Sequence, residues 1–110
     1  MKYMILMLFL FSSTTWAACS PNQCHGIGKD VLVSVYPSGT GHIYLEAPAD
    51  KGKLNCQLVE GHYMTLKNTH PVFEAMYSTI LTALSTQKKL TVRIVENSEG
   101  CEVMYVRMFT

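Results

Sequence analysis

From Lys29 onward, hydrophobic and polar residues mostly alternate. Val31, Val33 and Val35 share one face, with Leu32, Ser34 and Tyr36 on the other, until Pro37-Ser38-Gly39 breaks the run. Beyond Gly41, Ile43, Leu45 and Ala47 alternate with Tyr44 and Glu46, and Pro48 to Gly52 make the next turn. Two period-two runs joined through Ser38-Gly39-Thr40-Gly41 predict a β-hairpin. Leu54, Cys56 and Leu58 alternate with Asn55 and Gln57, which predicts a third strand with Cys56 facing inward. Gly61 bends or bulges that strand before Tyr63 to Leu66.

The period then changes. Phe73, Met76, Tyr77, Ile80, Leu81 and Leu84 fall on one stripe of an α-helix, predicted over His70 to Gln87. Pro71 suits its first turn, where the missing N–H has no helical partner. Glu74 near the start and Lys88 and Lys89 at the end complement the helix dipole. Two strands follow. In the first, Leu90, Val92 and Ile94 alternate with Thr91, Arg93 and Val95; Glu96 to Gly100 form a polar turn. The last runs from Cys101 to Phe109, with Val103 and Tyr105 on the face of Cys101. The order β-β-β-α-β-β predicts a mainly β, α+β fold: a five-stranded, OB-like, partly open barrel with the helix plugging one end. The other topology compatible with this order lays one helix across a sheet.

The N-terminus changes the picture of where this domain resides. Met1-Lys2-Tyr3 precedes an uncharged apolar run from Met4 to Phe11, then Ser12 to Thr15 and the small pair Ala17-Ala18. These are the three parts of a cleavable signal peptide, predicted over residues 1–17, with cleavage after Ala18 as the alternative. The apolar run falls well short of the roughly 20 residues that a spanning helix needs. Cys19 stands where a lipoprotein carries its acylated cysteine, but Trp16 replaces the aliphatic residue of that signal, so ordinary cleavage is expected over a lipid anchor. Residues 18–110, about 93 in number, suffice for one domain, predicted to be secreted or periplasmic. No later segment is apolar enough to span a membrane.

Without Lys2 the basic and acidic residues balance, which argues against nucleic acid or a polybasic membrane-surface role. Cys19, Cys24, Cys56 and Cys101 form an even set in a short exported chain, hence two disulfides. Four cysteines admit three pairings, and sequence does not decide among them; Cys19 with Cys24 and Cys56 with Cys101 is the expected one. The second bond would close a loop of about 46 residues, a contribution of about 4 kcal/mol in the chain-entropy model.

Candidate chemistry is sparse. Cys19 and Cys24 followed by His25 approach c-type haem attachment, but four residues separate the cysteines where that motif has two. A short disulfide loop is the expected reading, with a haem or redox protein as the minor one; zinc is not expected, because oxidised cysteines are not ligands. His25, His42, His62 and His70 lack metal-ligand spacing, and no nucleophile or phosphate-loop signature is present. No catalytic residue, metal or cofactor is therefore assigned. The polar side of the helix carries Ser78, Thr79, Thr82, Ser85 and Thr86 in place of the usual Lys and Glu. Such short hydroxyl residues permit close approach of a neighbouring subunit, or make an ordinary surface. Tyr36, Tyr44 and Tyr63, with His42 in the hairpin, are the candidate ligand residues.

In layout, the signal peptide, short mature chain, single helix among five strands, linked strand pair and hydroxyl-rich helix resemble the small B subunits of bacterial toxins built on a ring of five. The stretch from Leu54-Asn55-Cys56 through Cys101-Glu102-Val103-Met104-Tyr105-Val106 is also similar to a group of small exported bacterial proteins. The toxin likeness covers most of the mature chain and implies a pentamer that binds host glycans; no glycan-contacting residue carries over position by position. The expected function is an exported, non-catalytic binding module that takes a glycan and self-associates. The alternative is a structural or inhibitory envelope protein acting through a protein partner.

Overall fold

The computed structural model describes residues 18–110; the signal peptide predicted over residues 1–17 lies outside the described residues. Along the chain come β1 (Cys19–Ser20), β2 (Gln23–Gly26), a 3-10 turn (Gly28–Asp30), β3 (Ser34–Pro37) and β4 (Ile43–Glu46). A second 3-10 turn (Lys51–Lys53), β5 (Tyr63–Leu66), α1 (Phe73–Thr86), β6 (Lys89–Ile94) and β7 (Val103–Phe109) complete it. The strands form two antiparallel sheets, one in the order β1-β2-β6-β7 and one in the order β3-β4-β5. Among the described residues the fold is thus α+β with one helix, as the periodicity predicts. Among the described residues no helix is long and apolar enough to cross a membrane.

The five-stranded barrel is corrected: among the described residues there are seven strands in two sheets, and they close no barrel. Three local causes account for the difference. Val31 and Leu32 are buried, but as the end of a 3-10 turn whose Gly28 carbonyl accepts both of their N–H groups, so the chain joins its sheet only at Ser34. Leu54 to Leu58 is a connector, not a strand. Its N–H groups go to distant loops, Asn55 to the Pro21 carbonyl at 2.8 Å and Gln57 to that of Ser98 at 3.0 Å. Last, Cys19 to Gly26 makes a small hairpin in which Cys19 and Cys24 lie directly opposite each other.

The core joins both sheets to the helix. Leu45, Met64 and Leu66 from one sheet meet Leu90, Val92 and Ile94 from the other, and Met76, Ile80 and Ala83 from α1, all buried. Each large aliphatic side chain buried here contributes about 1.5–3 kcal/mol. Leu81, expected on the inward stripe, is 39% exposed. The packed ridge runs through Met76, Ile80 and Ala83, and Leu81 lies about 100° around the helix from Ile80. A second correction concerns β7. The register slips by one residue between Arg93 and Ile94, which pair with Tyr105 and Val103 respectively. This bulge turns Tyr105 away from buried Val103 and out toward solvent.

The two disulfides pair as expected, Cys19 with Cys24 and Cys56 with Cys101, with Cα–Cα separations of 4.0 and 5.0 Å. Replacing Cys56 and Cys101 together by serine should lower unfolding stability by about 4 kcal/mol, against about 2 kcal/mol for Cys19 and Cys24, because the closed loops differ in length. Urea titration of both double variants, with the slope held constant, checks this order; equal losses would contradict it.

Candidate functional site

The β3-β4-β5 sheet separates two kinds of side chain. Alternate residues Val35, Ile43, Leu45, Met64 and Leu66 turn toward the core. The intervening ones turn outward, and the register decides which of them meet. Tyr36 lies opposite Tyr44, and Tyr63 lies opposite Glu46, one pleat from Tyr44 on the same face. The three predicted tyrosines therefore come together. Their ring centroids form a near-equilateral triangle of 5.9, 6.1 and 6.0 Å, with interplanar angles of 41°, 53° and 48°. Tilted pairs at such distances contribute about 0.5–1.5 kcal/mol beyond their buried area, so the rings hold one another in place.

The cluster is open to solvent. Tyr36 is 51% exposed and the other two are half-buried. Among the described residues none of the three hydroxyls has a hydrogen-bond partner. At one end the Ser34 hydroxyl donates to Glu46 Oε1 at 2.9 Å, which fixes a carboxylate beside the rings. The His62 ring stands edge-on to Tyr63 at 6.2 Å. Across three strands the face spans about 10 Å. It offers π-faces, free phenol groups and one oriented carboxylate. Glu46 and His62 were not singled out from sequence. The alternation that places Tyr44 outward places Glu46 there too, so that signal was present.

His42 belongs elsewhere. Its Nδ1 accepts the Asn68 N–H at 3.2 Å, and its carbonyl accepts from the Ser38 N–H and hydroxyl at 3.0 and 2.8 Å. It pins the hairpin turn to the loop before α1. Gly41, at φ 90°, permits that contact, since a Cβ there would lie 2.5 Å from the Asn68 side-chain nitrogen. On α1, Ser78, Thr82, Ser85 and Thr86 are exposed and Thr79 is half-buried. Two of these hydroxyls are already engaged: Thr79 donates to the Ala75 carbonyl at 2.8 Å and Thr86 to that of Thr82 at 2.6 Å. Ser78, Thr82 and Ser85 remain, with Leu81 beside them.

The cysteines near His25 are both in a disulfide, and no free cysteine exists among the described residues, so neither thioether attachment nor a thiolate ligand arises there. The sequence did not indicate a cleft of about 1030 Å³ between β2, the first 3-10 turn and the Pro48 loop. Ile27 and Val33, 46% and 52% exposed, line it together with His25, Lys29, Asp50 and Lys89. Asp50 accepts the Cys19 N–H at 2.8 Å, which ties the loop to β1.

If the tyrosine hydroxyls are free for a ligand, Tyr44→Phe should change stability by less than about 0.5 kcal/mol, whereas Tyr44→Ala should cost about 1 kcal/mol through lost ring contacts. Thermal unfolding of the two variants separates these outcomes. Comparison of the chain with protein-family models, with curated proteins and with solved structures found no match.

Proposed function

We propose that the chain is an exported, non-catalytic binding module that takes a saccharide on the tyrosine face of the β3-β4-β5 sheet. The triangle of Tyr36, Tyr44 and Tyr63 carries this reading. A pyranose has a face of C–H groups that stacks on aromatic rings and a rim of hydroxyls that needs hydrogen-bond partners. Tyrosine meets both demands, as a rigid amphipathic side chain that loses little entropy on binding. The Glu46 carboxylate, oriented by Ser34, is an acceptor for two vicinal hydroxyls.

Two disulfides fit an oxidising compartment and support a secreted or periplasmic location. The pairing pattern supports the likeness to toxin B subunits in a relaxed form. β2 and β3 together take the place of a long first strand in an OB-like path, β2 pairing with β6 and β3 with β4. A parallel bridge between Thr65 and Glu102 joins the third strand of that path to the last. On this reading the modules associate through the exposed Ser78, Thr82 and Ser85 strip of α1. A second reading, a structural or inhibitory envelope protein, is favoured by Ile27 and Val33, whose exposure in the cleft suits an aliphatic side chain of a protein partner.

On a glycan array the oxidised chain starting at Ala18 should be retained by a subset of neutral saccharides, and Tyr36→Ala or Tyr44→Ala should weaken that retention at least about tenfold, the equivalent of 1.4 kcal/mol. Undiminished retention by both variants would overturn the site. Light scattering after gel filtration should give an assembly of about five chains, reduced to monomers by Thr82→Lys. A wild-type monomer at all concentrations would remove self-association and leave the tyrosine site standing.

A further inference from the structure

The outer face of the other sheet has a different chemistry. In its register Arg93 lies opposite Tyr105; one pleat along, Thr91 lies between His25 and Arg107; one pleat further, Lys89 lies opposite Phe109. Leu90, Val92 and Ile94 alternate with these residues into the core, so the named set shares the outward side. Both arginines of the chain are on this face, with Lys89, and no carboxylate stands among them. Among the described residues none of the three cations has an acidic partner within ion-pair distance; the ion pair present elsewhere joins Lys67 to Glu102. The adjoining cleft is lined by Asp30 and Asp50 together with His25 and Lys89.

The cations are positioned in advance. The Arg107 guanidinium and the Lys89 ammonium lie 4.7 and 5.1 Å from the centre of the Phe109 ring, within cation–π range. Arg93 Nε and His25 Nδ1 are buried atoms without a hydrogen-bond partner among the described residues. Buried polar atoms are normally paired, and both of these belong to the same face. An arginine fork without a carboxylate, beside a second arginine and a lysine, is an incomplete oxyanion site.

We infer that this face binds an acidic oligosaccharide whose rings carry carboxylate or sulfate groups. The cations extend about 13 Å along the strands, which matches one or two charged sugar rings. A long phosphate chain would need more clustered basic residues than this charge-balanced chain supplies. Insertion into a lipid surface is disfavoured because the Phe109 ring is engaged by two cations and the rest of the face, Tyr105 apart, is polar. Charged sugar rings instead pair their anions with the arginines and lay a ring against the exposed edge of Tyr105. This site is separate from the tyrosine triangle, and either stands without the other.

Binding of uronate- and sulfate-bearing trisaccharides, each beside its neutral methyl-ester or desulfated counterpart, tests the inference on the oxidised chain at low salt. The acidic forms should bind at least about tenfold tighter than the neutral ones, a difference of 1.4 kcal/mol. Arg107→Gln and Lys89→Gln, both at exposed positions, should each lose most of that preference, while Tyr44→Ala keeps it. Arg93→Lys should lose part of it, since an ammonium lacks the fork. Equal binding of neutral and acidic forms, no binding of either, or acidic binding that survives both glutamine variants would overturn the inference. So would tighter binding to a single-stranded DNA 20-mer, a polyglutamate peptide or vesicles of phosphatidylglycerol, which would assign the face to a different partner.

Discussion

Beyond the shared core, one seam of covalent and backbone links holds the two sheets edge to edge, and the geometry of both outer faces depends on it. The Cys56–Cys101 disulfide ties the irregular connector before β5 to the turn before β7. Beside it the Thr65 N–H donates to the Cys101 carbonyl at 3.1 Å, and parallel bridges join Gln57 to Glu99 and Thr65 to Glu102. The turn needs two successive left-handed residues, Gly100 at φ 81° and Cys101 at φ 46°. For cysteine that conformation costs about 1–2 kcal/mol, which the cross-link and the carbonyl contact offset. A Cβ at position 100 would also lie 3.1 Å from the Thr65 hydroxyl, so both the positive φ and this close approach favour glycine there. The Lys67–Glu102 pair at 3.1 Å closes the seam, though an exposed pair of this kind adds little energy.

From that seam the consequences reach outward. Thr65 belongs to β5, so fixing it fixes the register of β5 on β4 and hence the approach of Tyr63 to Tyr44. Cys101 opens the way into β7, whose one-residue slip against β6 sends Tyr105 to the outer face beside Arg93. One junction thereby aligns an aromatic face with one carboxylate on one sheet and a cationic face on the other. A chain with a formal net charge of only +1 reaches this result by segregation: its arginines gather on one sheet, while the tyrosine triangle has Glu46 as its neighbouring charge.

Much of this was legible in the chain because local patterns carried it. The helix followed from six apolar residues at helical spacing, the β3-β4 hairpin from two alternating runs around Gly39 and Gly41, and the disulfides from cysteine count and compartment. Tyr36 and Tyr44 were visible as members of alternating runs, whereas nothing in the pattern fixed the direction of Tyr63. What failed was non-local. Leu54 to Leu58 alternates like a strand, but its N–H groups are taken by Pro21 and Ser98, more than 30 residues away in each direction. The bulge that exposes Tyr105 is a slip between two strands and leaves no mark in either one. The cationic face is assembled from β2, β6 and β7; the period-two rows Lys89, Thr91, Arg93 and Tyr105, Arg107, Phe109 lie in separate segments, and only the strand pairing sets them side by side.

The most direct measurement follows the tyrosine rings themselves. With those rings isotopically labelled, nuclear magnetic resonance spectra of the chain from Ala18 onward can be recorded during titration with a neutral saccharide that the chain retains. Tyr36, Tyr44 and Tyr63 should shift together along one saturation curve, while Tyr77, packed on the helix side of the core, stays in place. Saturable binding that leaves all three triangle resonances unmoved would contradict the assignment of the β3-β4-β5 face as the saccharide site.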